Sequence, residues 1–183
     1  MKKLLLSLNA LLLGATIAFA GSSGKDYKDK TIPPRELFRA GEWQVGLYGS
    51  YAAGDIERLH HSSVDRVHNA GGLGLEGGYF FTNNFGVSLE GGWLTGEGSD
   101  IGTVAGNLIY RYPIERGSWA VAPYGFIGGG GQFGTENAGS GHAGGGAEFR
   151  VSPNWGVFAD GRWVIHDSAI HYGLFRLGAR LVF

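Results

Sequence analysis

From Glu42 onward the chain alternates apolar and polar residues with a period of two, and the charges within the alternating segments all take one side. In EWQVGLYGSYA, Trp43, Val45, Leu47, Gly49 and Tyr51 share a face opposite Gln44, Gly46, Tyr48 and Ser50. GGLGLEGGYFF and FGVSLEGGWLT repeat the pattern, setting Leu73, Leu75, Tyr79 and Phe81, then Phe85, Val87, Leu89 and Trp93, against Glu76 and Glu90. Successive side chains of a strand point to opposite faces, whereas a helical face recurs every ~3.6 residues, so these segments are strands. Arg111, Glu148, Arg150, Asp160, Arg162, Arg176 and Arg180 obey the same rule in later segments, each opposite the aliphatic and aromatic set. WAVAPYGFIGGGGQF is apolar at both parities and leaves its facing undecided.

Eight such segments of about ten residues follow one another, joined alternately by short turns (TNN, PIERGS, SPN) and by polar or glycine-rich connections. Only residues 54–68, GDIERLHHSSVDRVH, make a long loop. A tilted strand needs ~9–11 residues to cross a bilayer. An even number of antiparallel strands lets the first pair with the last, which removes both exposed edges.

A soluble sandwich or lipocalin-like barrel would bury the apolar face and wet the charged one, so periodicity alone does not decide between that and its inverse. Three features favour the inverse. Aromatics gather at strand ends on the apolar face (Trp43, Tyr79, Phe81, Phe85, Trp93, Tyr112, Trp155 and also Trp119), where a membrane barrel places its interfacial girdles. The polar face is balanced in sign and rich in small residues, and the strands contain no lysine. Most of the 35 glycines sit inside alternating segments, where they permit tight curvature and bends at barrel corners, and this composition favours a curved all-β protein. The reading is an all-β fold: an eight-stranded antiparallel transmembrane β-barrel over residues 42–183, with a polar, charge-filled interior.

Residues 1–20 read as a cleaved secretory signal, with Lys2 and Lys3 before an apolar run that closes on Ala18 and Ala20. Residues 21–41, with Pro33–Pro34, read as an unstructured N-terminal tail. Loss of Lys2 and Lys3 leaves 13 basic against 16 acidic residues, a net charge of −3 with histidine neutral, which gives no basic surface for nucleic acid. Cysteine is absent, which excludes disulfides and thiolate chemistry.

On these segments the sequence resembles the small eight-stranded outer-membrane β-barrels of Gram-negative-type bacteria, the group holding the barrel domain of outer membrane protein A and the opacity-type surface antigens. The resemblance covers residues 42–183 and implies a bacterial outer-membrane location, contact with outer-membrane lipid and lipopolysaccharide, and a monomer. It also implies that the last strand, with Leu177, Ala179, Leu181 and the terminal Phe183, is the signal read by the β-barrel assembly machinery.

An eight-stranded barrel is only wide enough for side chains to fill it. Glu76, Glu90, Glu148 and Asp160 are therefore expected to pair with Arg111, Arg150, Arg162, Arg176 and Arg180 and plug the lumen. The corresponding function is structural or surface-interactive, non-enzymatic and without a cofactor; the alternatives are a small porin-like channel and a lipid-modifying outer-membrane enzyme with a His/Ser pair at its rim. The six histidines (His60, His61, His68, His142, His166 and His171) fall at one end of the barrel without a recognised metal-ligand spacing. His166 and Ser168 resemble the catalytic pair of outer-membrane lipid A deacylases, with Asp167 beside them. The expected continuation is missing, because Ala169–Ile170 leads directly into the last strand. The glycine runs at 128–131 and 144–146 lack the helix and the Lys or Ser/Thr of a phosphate loop.

Overall fold

A computed structural model describes residues 36–60, 63–96, 99–134, 137–166 and 171–183. They form nine strands: β1 (Glu42–His60), β2 (Ser63–Phe80), β3 (Phe85–Gly96), β4 (Ser99–Arg111), β5 (Ile114–Arg116), β6 (Trp119–Phe133), β7 (Ala138–Ser152), β8 (Trp155–His166) and β9 (His171–Val182). Each long strand pairs antiparallel with its neighbour in sequence, β4 pairs with β6, and β1 pairs with β9, which closes an eight-stranded ring. The accessory β5 is three residues long and pairs only with the start of β6, so PIERGS is a small hairpin instead of a plain turn. Closure satisfies every wall strand on both sides, the condition for burying backbone in lipid.

The seam between β1 and β9 runs from Gln44↔Val182 to Ala53↔Gly173, and Phe183 extends it by exchanging backbone hydrogen bonds with Trp43. TNN forms the β2–β3 turn because Thr82 Oγ1 accepts the amides of Asn84 and Phe85, at 3.2 and 2.8 Å. The end of the barrel carrying this turn, the SPN turn, β5 and both wall termini is called the turn end; the opposite one is the loop end.

Burial is inverted relative to a soluble protein. Leu47, Leu73, Leu89, Ile127 and Leu177 face outward, Leu177 being 69% exposed, while Arg111, Arg150, Glu148 and Arg180 are buried. Rings collect in two bands on the outer wall. Near the turn end Trp43 stacks on Tyr79 at 4.8 Å, Tyr79 meets Phe81 at 6.2 Å, Phe85 meets Tyr110 at 4.9 Å, and Trp119 meets Phe149 at 6.0 Å, with Tyr112 and Trp155 also exposed. Toward the loop end Tyr51, Trp93, Phe133, Trp163 and Phe175 form the second band. Of the aromatics named from the sequence, Trp43, Tyr79, Phe81, Phe85, Tyr112, Trp119 and Trp155 lie in the first band and Trp93 in the second. Ring pairs lie next to each other across strands, and that proximity depends on register.

Two expectations are corrected, and one facing left open is resolved. Residues 54–60 and 63–68 are strand and not loop: β1 and β2 go on pairing with Ile56↔Val67, Glu57↔Arg66, Arg58↔Asp65 and His60↔Ser63, after an irregularity between Ala53 and Ile56. The polar composition of this stretch had pointed to a loop. The tail 21–41 is ordered over its last six residues, where Leu37 and Phe38 are buried; residues 1–35, including the signal segment, lie outside the described residues. Finally β6 has a definite facing, with Ala120, Ala122, Tyr124 and Phe126 inside and Pro123, Gly125 and Ile127 outside.

Leu47 lies midway along the lipid-facing wall. Leu47→Arg is expected to destabilise the barrel by about 2–4 kcal/mol, read by urea unfolding in lipid vesicles.

Candidate functional site in the barrel lumen

The nine charged residues singled out from the sequence all point into the lumen, and the structure adds a tenth, Glu42, at the first position of β1. Nine ion pairs join these ten groups into one connected chain of alternating sign. From the turn end it runs Arg111–Glu42–Arg150–Glu148–Arg180–Glu76–Arg176–Glu90–Arg162, with Asp160 attached to Arg176. Five carboxylates meet five guanidiniums, so the chain carries no net charge.

Register explains how the pairs arise. Glu76 and Glu90 sit directly opposite each other on β2 and β3, an arrangement that repels by itself. Arg176 resolves it from across the lumen: Nη1 donates to Glu90 at 2.7 Å and to Glu76 at 3.4 Å. Its other two donors form a fork on Asp160, its own register partner, at 2.8 and 2.6 Å. Arg180 on β9 and Glu76 on β2 are both register partners of Gly46, so their ion pair closes over β1. A Cβ at position 46 would stand 2.8 Å from Glu76 Cγ, which makes this glycine a condition of the pair. Gly86 plays the same part for a ring, since a Cβ there would lie 2.7 Å from Phe80 Cδ1.

Every guanidinium of the chain also lies over an aromatic face. Arg111 stacks at 3.6 Å from the Phe80 centroid, Arg150 at 4.0 Å from Phe38, Arg180 at 3.9 Å from Phe158, Arg176 at 4.7 Å from Tyr48, and Arg162 at 4.9 Å from Phe126. Guanidinium tolerates such desolvated stacking better than ammonium does, which accounts for a lumen built with arginine and without lysine. Neutral groups complete the set: Tyr124 Oη donates to Asp160 at 2.7 Å, Gln44 Nε2 to Glu42 at 2.7 Å, and Asn107 Nδ2 to Ser88 and Glu90 at 3.1 Å each. Among the described residues, Arg162 Nε is the one buried side-chain nitrogen or oxygen without a hydrogen-bond partner.

Glu42, Phe80 and Phe158 were missed in the sequence although they share the parity of the charges. Parity was the available signal; an aromatic on the polar face simply did not advertise that it carries an arginine. His142 is also relocated. It lies in the lumen, not at the rim, with Nε2 at 2.5 Å from Asn107 Oδ1 and at 3.3 Å from Arg162 Nη1. His171 is exposed at the start of β9. His60 and His68 lie in the β1–β2 hairpin and His166 ends β8, while His61, Asp167 and Ser168 lie outside the described residues, as do Ala169 and Ile170.

Both ends of the ion chain abut apolar clusters. Toward the loop end Ala52, Ala70, Leu94, Val164 and Tyr172 pack together with Ile101 and Leu174. At the turn end Leu37 and Phe38 pack on Ala120 and Ala122.

Residues 10–183 match the family model described as "Outer membrane protein beta-barrel domain". No curated protein matches the chain. Among solved structures, the N-terminal β-barrel domain of OprF from Pseudomonas aeruginosa aligns with a TM-score of 0.54 at 12% identity, covering 79% of this chain and 99% of that one. The outer membrane protein OprG of the same organism gives 0.53 at 13%, covering 80% and 97%. A de novo designed transmembrane β-barrel gives 0.55 at 16%, covering 79% and 98%. At these identities the likeness is one of fold.

Two substitutions probe the lumen. Arg176→Met takes a partner from Glu76, Glu90 and Asp160, leaves Asp160 without a cation, and is expected to cost about 3–5 kcal/mol, measured by equilibrium unfolding. Gly46→Val should disrupt the Arg180–Glu76 pair without touching a charge. The expected result is a lowered unfolding midpoint, of which little remains when Glu76 and Arg180 have already been replaced by Ala and Met, since the colliding Cγ is then gone.

Proposed function

This chain belongs to the family of outer-membrane-protein β-barrel domains, and on that premise we propose that it is a non-enzymatic, plugged barrel with a structural and surface-interaction role. It resides in the bacterial outer membrane. The observation that carries the proposal is the single alternating ion chain that runs along the lumen with an apolar cluster at either end. Each charge in it already has its partner, so an ion entering the lumen would have to compete for groups that hold one another.

The surface role is supported by the β1–β2 hairpin. Pairing of β1 with β9 ends at Ala53↔Gly173 and pairing of β2 with β3 ends at Ala70↔Gly96, yet β1 and β2 go on pairing to His60↔Ser63. Seven further residues of strand amount to about 20 Å. With the turn end toward the periplasm, this ribbon reaches outward from the cell.

Outer-membrane lipid and lipopolysaccharide are the partners of the apolar wall, and the barrel works as a monomer. The β-barrel assembly machinery recognises β9 through Leu177, Ala179, Leu181 and Phe183. These four are exposed on the outer face, next to the β1 edge with which β9 pairs.

Purified protein inserted into planar bilayers should produce no porin-like conductance steps. Regular single-channel openings would overturn the plugged reading in favour of a small channel.

A further inference from the structure

The six residues Glu36–Gly41 precede the wall, yet they are among its best-held parts. The Phe38 ring is 1% exposed and lies between two guanidiniums, Arg150 at 4.0 Å and Arg111 at 4.8 Å from its centroid. Both backbone amides of Leu37 and Phe38 donate to one oxygen of Glu115, at 3.0 and 3.2 Å. The Leu37 carbonyl accepts from Arg150 Nη1 at 2.7 Å, and the Arg39 carbonyl from Arg111 Nη2 at 3.3 Å. Gly41, at φ +75°, then turns the chain into β1, its amide held by the Phe80 carbonyl at 2.7 Å. A positive φ of this kind is open to glycine and strained for other residues.

The origin of these partners matters. Arg111 belongs to β4, Glu115 to β5, Ala120 and Ala122 to β6, and Arg150 to β7. The wall neighbours of β1 are β2 and β9, and β6 lies four strands away in either direction around the ring. The segment therefore crosses the lumen and binds the wall opposite its own strand. That receiving surface faces β1 only after β1 and β9 have paired and the sheet has become a ring.

We propose that Glu36–Gly41 is a strap that docks across the turn-end mouth after the ring closes, and that it opens and shuts as a unit separate from the wall. Shut, it covers Glu42, Arg111 and Arg150 from the turn end. Open, it leaves the wall pairing intact and exposes those three groups to water. Such local opening is the ordinary behaviour of a segment whose contacts can be released without breaking the rest of the fold.

The test uses the full chain folding into detergent micelles, with brief trypsin pulses that report cleavage after Arg39 and unboiled gel mobility that reports the closed barrel. The compact band is expected to appear before the Arg39–Ala40 bond becomes protected. Phe38→Ala should keep the compact band and raise the cleavage rate roughly tenfold or more. Phe38→Tyr should restore protection, and Glu115→Gln, which weakens the acceptor of both strap amides, should raise cleavage independently. Protection that arises together with the compact band, wild-type cleavage as fast as in boiled protein, or a rate unmoved by both Phe38→Ala and Glu115→Gln would each overturn the proposal.

Discussion

Ten ionised side chains in a lumen only as wide as a side chain persist because each is bonded to opposites and the set is continuous from wall to wall. Taking a charge out of water costs several kcal/mol unless its partners are close and well directed. Arg176 shows how this is met: three carboxylates from three different strands share one guanidinium, which also lies over the ring of Tyr48. The rest of the architecture follows from accommodating this chain. Glycine occupies the positions where a charge or ring from the next strand must pass, as at Gly46 and Gly86. Arginine supplies every cation of the network.

The same constraint ties the lumen to closure of the ring. The Arg180–Glu76 pair closes over β1 between its two wall neighbours, and the strap reaches partners on the far wall. Neither contact exists in an open sheet, so the interior reports that the seam has formed. A barrel braced in this way is a stiff base for the β1–β2 ribbon. The wall is a charge-locked barrel, and the β1–β2 pairing extends beyond the ends of the β1–β9 and β2–β3 pairing.

Much of this was legible before any coordinates, and particular residues show why. Glu76, Glu90, Arg162 and Arg176 announce the inner face because alternation is a local property of a strand, set by the pleat alone. Trp43, Tyr79 and Phe85 announce an interfacial band for the same reason. The 54–68 stretch was misjudged because its polar residues carry no alternation, and the register that continues from Ile56↔Val67 to His60↔Ser63 is a property of two strands together. Leu37 and Phe38 were assigned to a tail because two apolar residues without a period have no local meaning.

The sequence by itself determined the number of wall strands, the side that meets lipid in all of them but β6, and the charged character of what fills the interior, since all three depend on residues one or two positions apart. The tertiary structure alone decided which arginine holds which carboxylate, that Glu42, Phe38, Phe80 and Phe158 belong to the same assembly, and which way β6 faces. Those choices depend on the register between strands and on distances across the lumen, quantities that are defined only once the sheet has curled and closed.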